Sequence, residues 1–456
     1  MRIQDLRDKK VAIWGLGSEG WATLKTLRKK FPANIITVLN DTKLSSEMEM
    51  ILCQDPFLKL VSGENISEAL NNVEVVIKSP GVSGYKKEIL EAKEKGVFFT
   101  SATKLWFAAH PNDKTVCVTG SKGKSTTSSL ITHLLRNSGK TVTLGGNIGT
   151  PMLDMMEVEP KPDFWVMELS SYQISDFDAS PTVALLLNLF PEHLDWHQGL
   201  ENYYKDKTNL LRHQNDNCFA VINKNDQNTT EYLKIEELKN PTYFNDENGF
   251  HVKDNNIYYQ DKMIFSGDKM SIPGAHNLSN ACAALTVLKL LGVDYTKCIN
   301  ALSTFKGLPH RLYPWGKIND ILYVDDSIST TPQSAIAAME THKDKKITIL
   351  LGGFDRGLNF EGLAEYITTK NIHAVITMPD NGVRIAEEIK KKLELNPNCT
   401  TKLIESDGLE DAVKKAKEVT EPNGLVLLSP GSPSYGRFKN FSERGDAFAR
   451  FAGFNI

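Results

Sequence analysis

Short apolar runs alternate with amphipathic stretches along most of the chain. Residues 11–14, 35–39 and 73–77 each read as a buried strand, with helical spacing between them. Strands separated by helices build a parallel sheet covered on both faces. The pattern resumes with runs at 115–119, 164–167, 183–187 and 219–222. From about 242 to 271, turn residues and short β-type runs predict a small antiparallel excursion, and 277–291 is helical. A third series follows at 321–324, 347–351, 374–377 and 425–428. The polar stretches 110–113 and 306–311 read as linkers. The expected architecture is α/β in three domains, 1–110, 111–307 and 308–456, each a mainly parallel sheet with helices.

Composition narrows the class. The 456 residues are 41% hydrophobic and 24% charged, with a formal net charge of -3. That balance fits a soluble globular chain and gives no basic excess for nucleic acid or an acidic membrane surface. The six cysteines are scattered without a CxxC pair, which reads as reduced thiols and not a zinc or disulfide frame. The start, MRIQDLRDKK, runs into a strand without an apolar signal core. No run of about 18 apolar residues occurs. A cytoplasmic protein with no membrane or nucleic-acid partner is expected.

Several loops carry candidate chemistry. Gly15-Leu-Gly-Ser-Glu-Gly20 follows the first strand, and Asp41 lies at the end of the next. This GxGxxG turn lets backbone amides approach a diphosphate at a helix N-terminus. A second glycine turn, Ser79-Pro-Gly81, ends the third run and falls in the same crevice. Gly120-Ser-Lys-Gly-Lys-Ser-Thr-Thr127 is the strongest signal. The earlier glycine of a Walker loop is replaced by Val118, yet strand, glycine turn and helix N-terminus remain. Gly120, Ser121, Lys122, Gly123 and Thr126 can wrap phosphates, Lys124 can reach the β and γ oxygens, and Ser125 can hold Mg2+. Glu168 ends the next strand, placed to hold a cation. His193-Leu-Asp-Trp-His197 invites a zinc reading, but no second ligand cluster exists, so His193 is read as a ligand or orienting group for a second Mg2+. Lys207, on pattern alone, is a solvated helix lysine. Arg311, Asp326 and Arg356 fall at a linker, a strand end and a glycine turn, where substrate groups converge in open sheets.

These motifs, in this order, resemble the Mur ligases, ATP-dependent amide-forming enzymes of peptidoglycan synthesis, and most of all their glutamate-adding members. The match runs from Gly15 to Arg444 and includes GSKGKSTT, GNIG, ELSSYQ, HLDWH, GAHNLSNACAA, GLPHR, LLGG and FKNFSERGD. The resemblance implies a Rossmann-like first domain, a P-loop NTPase-like second and a Rossmann-like third. It implies ATP and two Mg2+ ions, the latter at Ser125, Glu168, His193 and a carbamylated Lys207, with Lys124, His193 and Lys207 as catalytic groups. Gly17, Ser18, Asp41, Thr42, Ser79 and Gly81 would hold the UDP part of UDP-N-acetylmuramoyl-L-alanine, and Asn147 and Ser170 its muramoyl-alanine end. Asn277 and Asn280 would lie on the adenine side, and Arg311 and Asp326 would reach the nucleotide. Arg356, Ser434 and Phe441 would bind the incoming glutamate. A monomer is expected.

Two departures touch the amino-acid pocket. Where the D-glutamate enzymes read D-S-K-A-T-N, this chain has Asp326-Ser-Ile-Ser-Thr-Thr331, so Ile328 replaces a lysine. Where they read S-P-A-C-A-S, it has Ser429-Pro-Gly-Ser-Pro-Ser434. A branch of the family adds L-glutamate, and either enantiomer stays open on the sequence. A kinase or motor ATPase using the same phosphate loop, and a non-enzymatic nucleotide-binding regulator, are the alternative readings.

Overall fold

The structure, a computed structural model, describes residues 1–455 except Lys43, Ser45, Ile235, Glu237, Pro273 and Arg356. It divides into two compact units, Met1–Phe305 and Lys306–Ile456.

The first unit holds two parallel sheets. One has five strands, β1 (Val11–Trp14), β2 (Ile36–Asn40), β3 (Leu58–Ser62), β4 (Val75–Lys78) and β5 (Phe98–Thr100), in the order β3-β2-β1-β4-β5. The other has six, β6 (Thr115–Thr119), β7 (Val142–Gly146), β8 (Phe164–Glu168), β9 (Val183–Leu186), β10 (Phe219–Asn223) and β11 (Pro241–Phe244), in the order β11-β10-β9-β6-β8-β7. Every residue of β1, β4, β6, β8 and β9 is buried, as expected for parallel strands under helices on both faces. The antiparallel excursion is a three-stranded sheet of β12 (Phe250–Lys253), β13 (Asn256–Tyr259) and β14 (Lys262–Ser266). Residues 242–244 stay in the parallel sheet as part of β11. The helix that follows, Ala275–Leu290, is buried along ten of its residues and packs on the helix Lys124–Asn137.

The polar stretch 110–113 is not a loose tether. Trp106, one turn before it, is fully buried, donates from Nε1 to Met155 O at 3.2 Å and stacks on His110 at 4.0 Å. Asp113 accepts from Trp165 Nε1 at 2.9 Å. One apolar cluster, with Ile13, Leu24, Trp106, Met152 and Trp165 among its members, joins the two sheets. Among the described residues no helix is long and apolar enough to cross a membrane.

The second unit is a six-stranded sheet of β15 (Tyr313–Ile318), β16 (Ile321–Asp325), β17 (Ile347–Leu351), β18 (Ala374–Thr377), β19 (Lys402–Glu405) and β20 (Leu425–Leu428), in the order β15-β16-β20-β17-β18-β19. All neighbours are parallel except β15, which pairs antiparallel with β16 and carries a bulge between Pro314 and Gly316. The carboxyl ends of β16 and β20 lie side by side, in register from Leu322 opposite Leu425 to Asp325 opposite Leu428.

Candidate functional site

The site grows from β6. The chain leaves β6, visits the edge at β7, and returns so that β8 and β9 flank β6. The crevice at the carboxyl ends of such a switch is where open α/β sheets bind ligands. Residues 120–127 emerge there. Gly120 has φ +155° and Gly123 φ +84°, and a Cβ on either would lie 2.9 Å from Leu187 Cβ or Asn280 Oδ1 respectively. Gly123 caps the helix Lys124–Asn137, so the free amides of its first turn face the crevice. The loop after β9 pins the turn. Ser121 N donates to Asn188 O at 3.0 Å, Lys122 N donates to Asn188 Oδ1 at 2.8 Å, and Tyr203 Oη lies 2.6 Å from Ser121 Oγ.

Two lysines converge on this turn. Lys124 Nζ donates to Gly120 O at 2.8 Å and to Ser121 O at 3.0 Å. Lys207 Nζ donates to the same Gly120 O at 2.9 Å. Helical spacing alone puts Lys207 in solvent, yet it is only 2% exposed. Burial first, and the neighbouring Lys124 charge second, push its pKa down to about 7.

Glu168 ends β8 beside β6, its Cα opposite Val118. It is 1% exposed, and its Oε1 accepts from Asn147 Nδ2 at 2.6 Å. Its Oε2 is buried with no hydrogen-bond partner among the described residues. A buried carboxylate oxygen without a partner is costly unless a cation completes it. His193 is exposed at the loop, and partial desolvation, more than its charged neighbours, holds its pKa below the ordinary value. Ser125 stands at the start of the helix, and its hydroxyl and the Glu168 carboxylate are hard oxygen donors of the kind Mg2+ takes. Thr126, in the same turn, is half-buried.

A cleft of about 530 Å3 opens over the carboxyl ends of β1, β2 and β4. Gly17, Ser18, Asp41, Thr42, Ser79 and Gly81 line it, and so does Asn147 from the second sheet. Ser79 Oγ donates to Gly15 O at 2.6 Å, and a Cβ on Gly20 would fall 2.0 Å from Gly15 O, so the turn closes tightly. Asp41 is held by Trp14 Nε1 and Lys86 Nζ, each at 3.0 Å. Ser170 is not on the cleft lining. It caps the helix Ser171–Ile174, its Oγ accepting from Gln173 N at 3.3 Å. Glu19 escaped sequence reasoning, although it occupies a variable position of GxGxxG. It lines the cleft, accepts weakly from Met152 N and Gln173 Nε2, and burial raises its carboxyl to about 7.

The remaining expected residues are placed as follows. Asn280 packs against Gly123 and donates to Asn277 Oδ1 at 3.4 Å. In the second unit, Asp326 Oδ2 accepts from Ser429 Oγ at 2.8 Å and Oδ1 accepts from Leu312 N at 3.2 Å, while burial raises its pKa to about 6. Arg311 is exposed near enough for its charge to oppose that rise. Ser434 is 6% exposed, and Phe441 starts the helix Phe441–Ala452, its ring 6.1 Å from His310. Arg356 lies outside the described residues. A residue not foreseen, Arg444, is buried under this loop and donates to Ser327 Oγ, Ser327 O and Ser432 O at 2.8–3.0 Å.

A phosphate loop backed by a buried carboxylate and lysine, with a diphosphate-type cleft alongside, agrees with the family models that match the chain. The Mur ligase middle domain matches residues 118–288, and the Mur ligase glutamate ligase domain matches 310–431. The chain belongs to the Mur ligase family. The full-length relatives it resembles are UDP-N-acetylmuramoyl-L-alanine–L-glutamate ligases. That of Xanthomonas euvesicatoria pv. vesicatoria is 37% identical over 464 residues, covering 100% of this chain and 97% of that protein. That of Micromonospora sp. is 38% identical over 458 residues, 98% and 97%. Among solved structures, MurF of Acinetobacter baumannii aligns with TM-score 0.58 at 16% identity, covering 97% of this chain and 90% of that one. The MurF ligase of Thermotoga maritima, in complex with ADP, aligns with TM-score 0.54 at 19% identity, 99% and 96%. These last two share the fold. Family membership sets aside the kinase, motor and regulator readings.

Proposed function

We infer that the protein joins glutamate to UDP-N-acetylmuramoyl-L-alanine at the expense of ATP, a step of peptidoglycan precursor synthesis. The observation that carries this reading is the position of Asn147. It lines the 530 Å3 cleft and also bonds Glu168 beside the phosphate loop. A UDP-sugar lying in the cleft would thus extend its alanine carboxylate toward the γ-phosphate of an ATP held at Lys124 and Ser125.

A carboxylate is a poor electrophile. Its oxygen first attacks the γ-phosphorus, the β–γ bridging bond breaks, and ADP leaves an acyl phosphate. The glutamate amine then attacks the acyl carbon, loses its proton, and inorganic phosphate departs. Lys124 offsets the charge spread over the moving phosphoryl group. Gly120, Ser121, Lys122, Gly123 and Thr126 would orient the polyphosphate through the turn, with Asn277 and Asn280 on the adenine side. Two Mg2+ ions held by Ser125, Glu168, His193 and a carbamylated Lys207 would supply further charge neutralisation. A lysine must be neutral to take up CO2, and a pKa of about 7 provides that form near neutral pH.

Gly17, Ser18, Asp41, Thr42, Ser79 and Gly81 would hold the UDP part, with Asn147 and Ser170 at the muramoyl end. Arg311 and Asp326 would serve the nucleotide, and Arg356, Ser434 and Phe441 the glutamate. The functional division is three domains, 1–110, 111–307 and 308–456. The work is assigned to a cytoplasmic monomer without a membrane or nucleic-acid partner. L-glutamate is the favoured enantiomer. Ile328 and the Ser429–Ser434 loop depart from the D-glutamate pattern, and the relatives' names specify L-glutamate. Phosphate release with ATP, Mg2+ and UDP-N-acetylmuramoyl-L-alanine should be stimulated by L-glutamate. Stimulation by D-glutamate alone would reverse the enantiomer, and none by either would refute the ligase.

A further inference from the structure

One buried network serves neither the phosphate loop nor the cleft directly, yet it touches the supports of both. Tyr85 follows the turn that lines the cleft, and its Oη donates to the Asp206 carboxylate, 3.0 and 3.1 Å from its two oxygens. Asp206 Oδ2 also lies 2.7 Å from His197 Nδ1, and His197 Nε2 lies 2.9 Å from Ser171 Oγ. His197, Asp206 and Ser171 are 0%, 5% and 2% exposed. Burial, then the Asp206 charge, raises the Tyr85 phenol, so it remains a donor.

Asp206 directly precedes Lys207 on the helix Leu200–Thr208. Successive helical side chains point about 100° apart. The carboxylate therefore locks the helix rotation that delivers Lys207 to Gly120 O. The loop bearing His193 is tied to the same turn. Ser83 Oγ donates to Trp196 O at 2.6 Å, Trp196 Nε1 donates to Gly81 O at 3.1 Å, and Gln198 Nε2 donates to Tyr85 O at 3.2 Å. His193 and Gln198 both sit at φ +55°, a left-handed conformation uncommon outside glycine. Lys78 Nζ braces the turn from below by donating to Val82 O at 3.0 Å.

We propose that Tyr85, Asp206 and His197 are positioning residues that couple the UDP-substrate cleft to the nucleotide site. A ligand that settles the turn at residues 79–85 thereby fixes the placement of His193 and Lys207. Coupling of this kind is reciprocal, so each ligand should tighten the other. The inference rests on the ligase reading above.

The test compares the parent protein with Tyr85→Phe, which deletes one hydroxyl outside either site, and with Asp206→Asn and the double variant. Calorimetry measures binding of a non-hydrolysable ATP analogue with Mg2+, with and without UDP-N-acetylmuramoyl-L-alanine. In the parent, the UDP-substrate should tighten the analogue by about fivefold or more. Tyr85→Phe should bind each ligand alone within about twofold of the parent but lose most of that enhancement, so its KM for ATP at saturating UDP-substrate should rise about fivefold and its kcat should fall about fivefold. The double variant should be no worse than Asp206→Asn, because both changes break one connection. Full enhancement and kcat in Tyr85→Phe, from an active parent, would overturn the coupling while leaving the ligase intact. Single-ligand affinities falling in step with the melting temperature would reduce the network to scaffolding and overturn it too. A parent without glutamate-dependent phosphate release would overturn the ligase reading and this inference with it.

Discussion

Replacing Lys207 with methionine should make the ligand-free protein more stable at pH 6.5 while destroying its activity. The folded chain holds the lysine proton only to about pH 7, against 10.5 for an ordinary lysine. That gap corresponds to about 5 kcal/mol of cost for burying the charge. Methionine keeps the apolar stem and removes the cost, but it forfeits the bond to Gly120 O, about 2 kcal/mol for a charged donor and about 1 for a neutral one. The net gain at pH 6.5 is about 3 kcal/mol. Between about pH 7 and 10.5 the unfolded chain binds one proton more than the folded one, so the parent gains stability as pH rises through that window and is flat below it. The advantage of the variant should therefore shrink to about 1 kcal/mol at pH 9 and vanish near pH 10. Urea unfolding in bicarbonate-free buffer, which leaves the amine unmodified, measures the difference. A difference that does not change with pH, or a parent more stable at pH 6.5, would refute the account of a buried, desolvated amine.

Three further outcomes are expected. Lys124→Ala should lower glutamate-dependent phosphate release by about 100-fold or more through lost stabilisation of the phosphoryl charge, read as kcat at saturating ATP. Glu19→Gln should stabilise the protein at pH 8 by about 3 kcal/mol, because burial raises that carboxyl from 4.5 to about 7; the cost is present above pH 7 and relieved as pH falls to 4.5, so melts at pH 8 and pH 4.5 should diverge and converge respectively. Gly353→Ala should raise KM for glutamate and leave ATP-analogue affinity in the first unit unchanged, since φ is +149° and a Cβ would lie 2.4 Å from Pro433 O in the loop of residues 429–434.

What the sequence disclosed follows from how sharply each position is constrained. The phosphate loop was legible because only glycine tolerates the backbone and contacts at 120 and 123, and only a lysine and a hydroxyl do the work that follows. The buried strands were legible as apolar runs. Five others were not: β3 and β19 are edge strands with half-exposed patterns, β7 is an edge strand ending in two glycines, β5 has three residues, and β15 carries Pro314, Gly316 and a bulge. Edge strands meet water on one side and lose the continuous apolar signal. Lys207 was illegible for another reason. The residues that bury it, Tyr203 among them, come together only when the helix docks on the phosphate loop, and its local spacing is that of any solvated lysine. Family resemblance alone promoted it.

The loop at residues 429–434 shows the same limit at the level of mechanism. Its hydroxyls look in sequence like a set of hands for a carboxylate. Two of them are already engaged: Ser429 Oγ donates to Asp326, and Ser432 Oγ accepts from Asn381 Nδ2. Their work is to fix the shape of the loop, and Phe354 N fixes it further by donating to Pro433 O at 2.9 Å. Beneath it Arg444 places a full positive charge, 2% exposed, with Nη1 lacking a hydrogen-bond partner among the described residues. Its pKa is depressed by burial only to about 10, so the charge persists at neutral pH. Ile328 is half-buried and brings no charge, while the Arg444 guanidinium stays buried under the loop. Under the proposed function, a glutamate carboxylate arriving at this loop would meet fixed walls and a fixed charge.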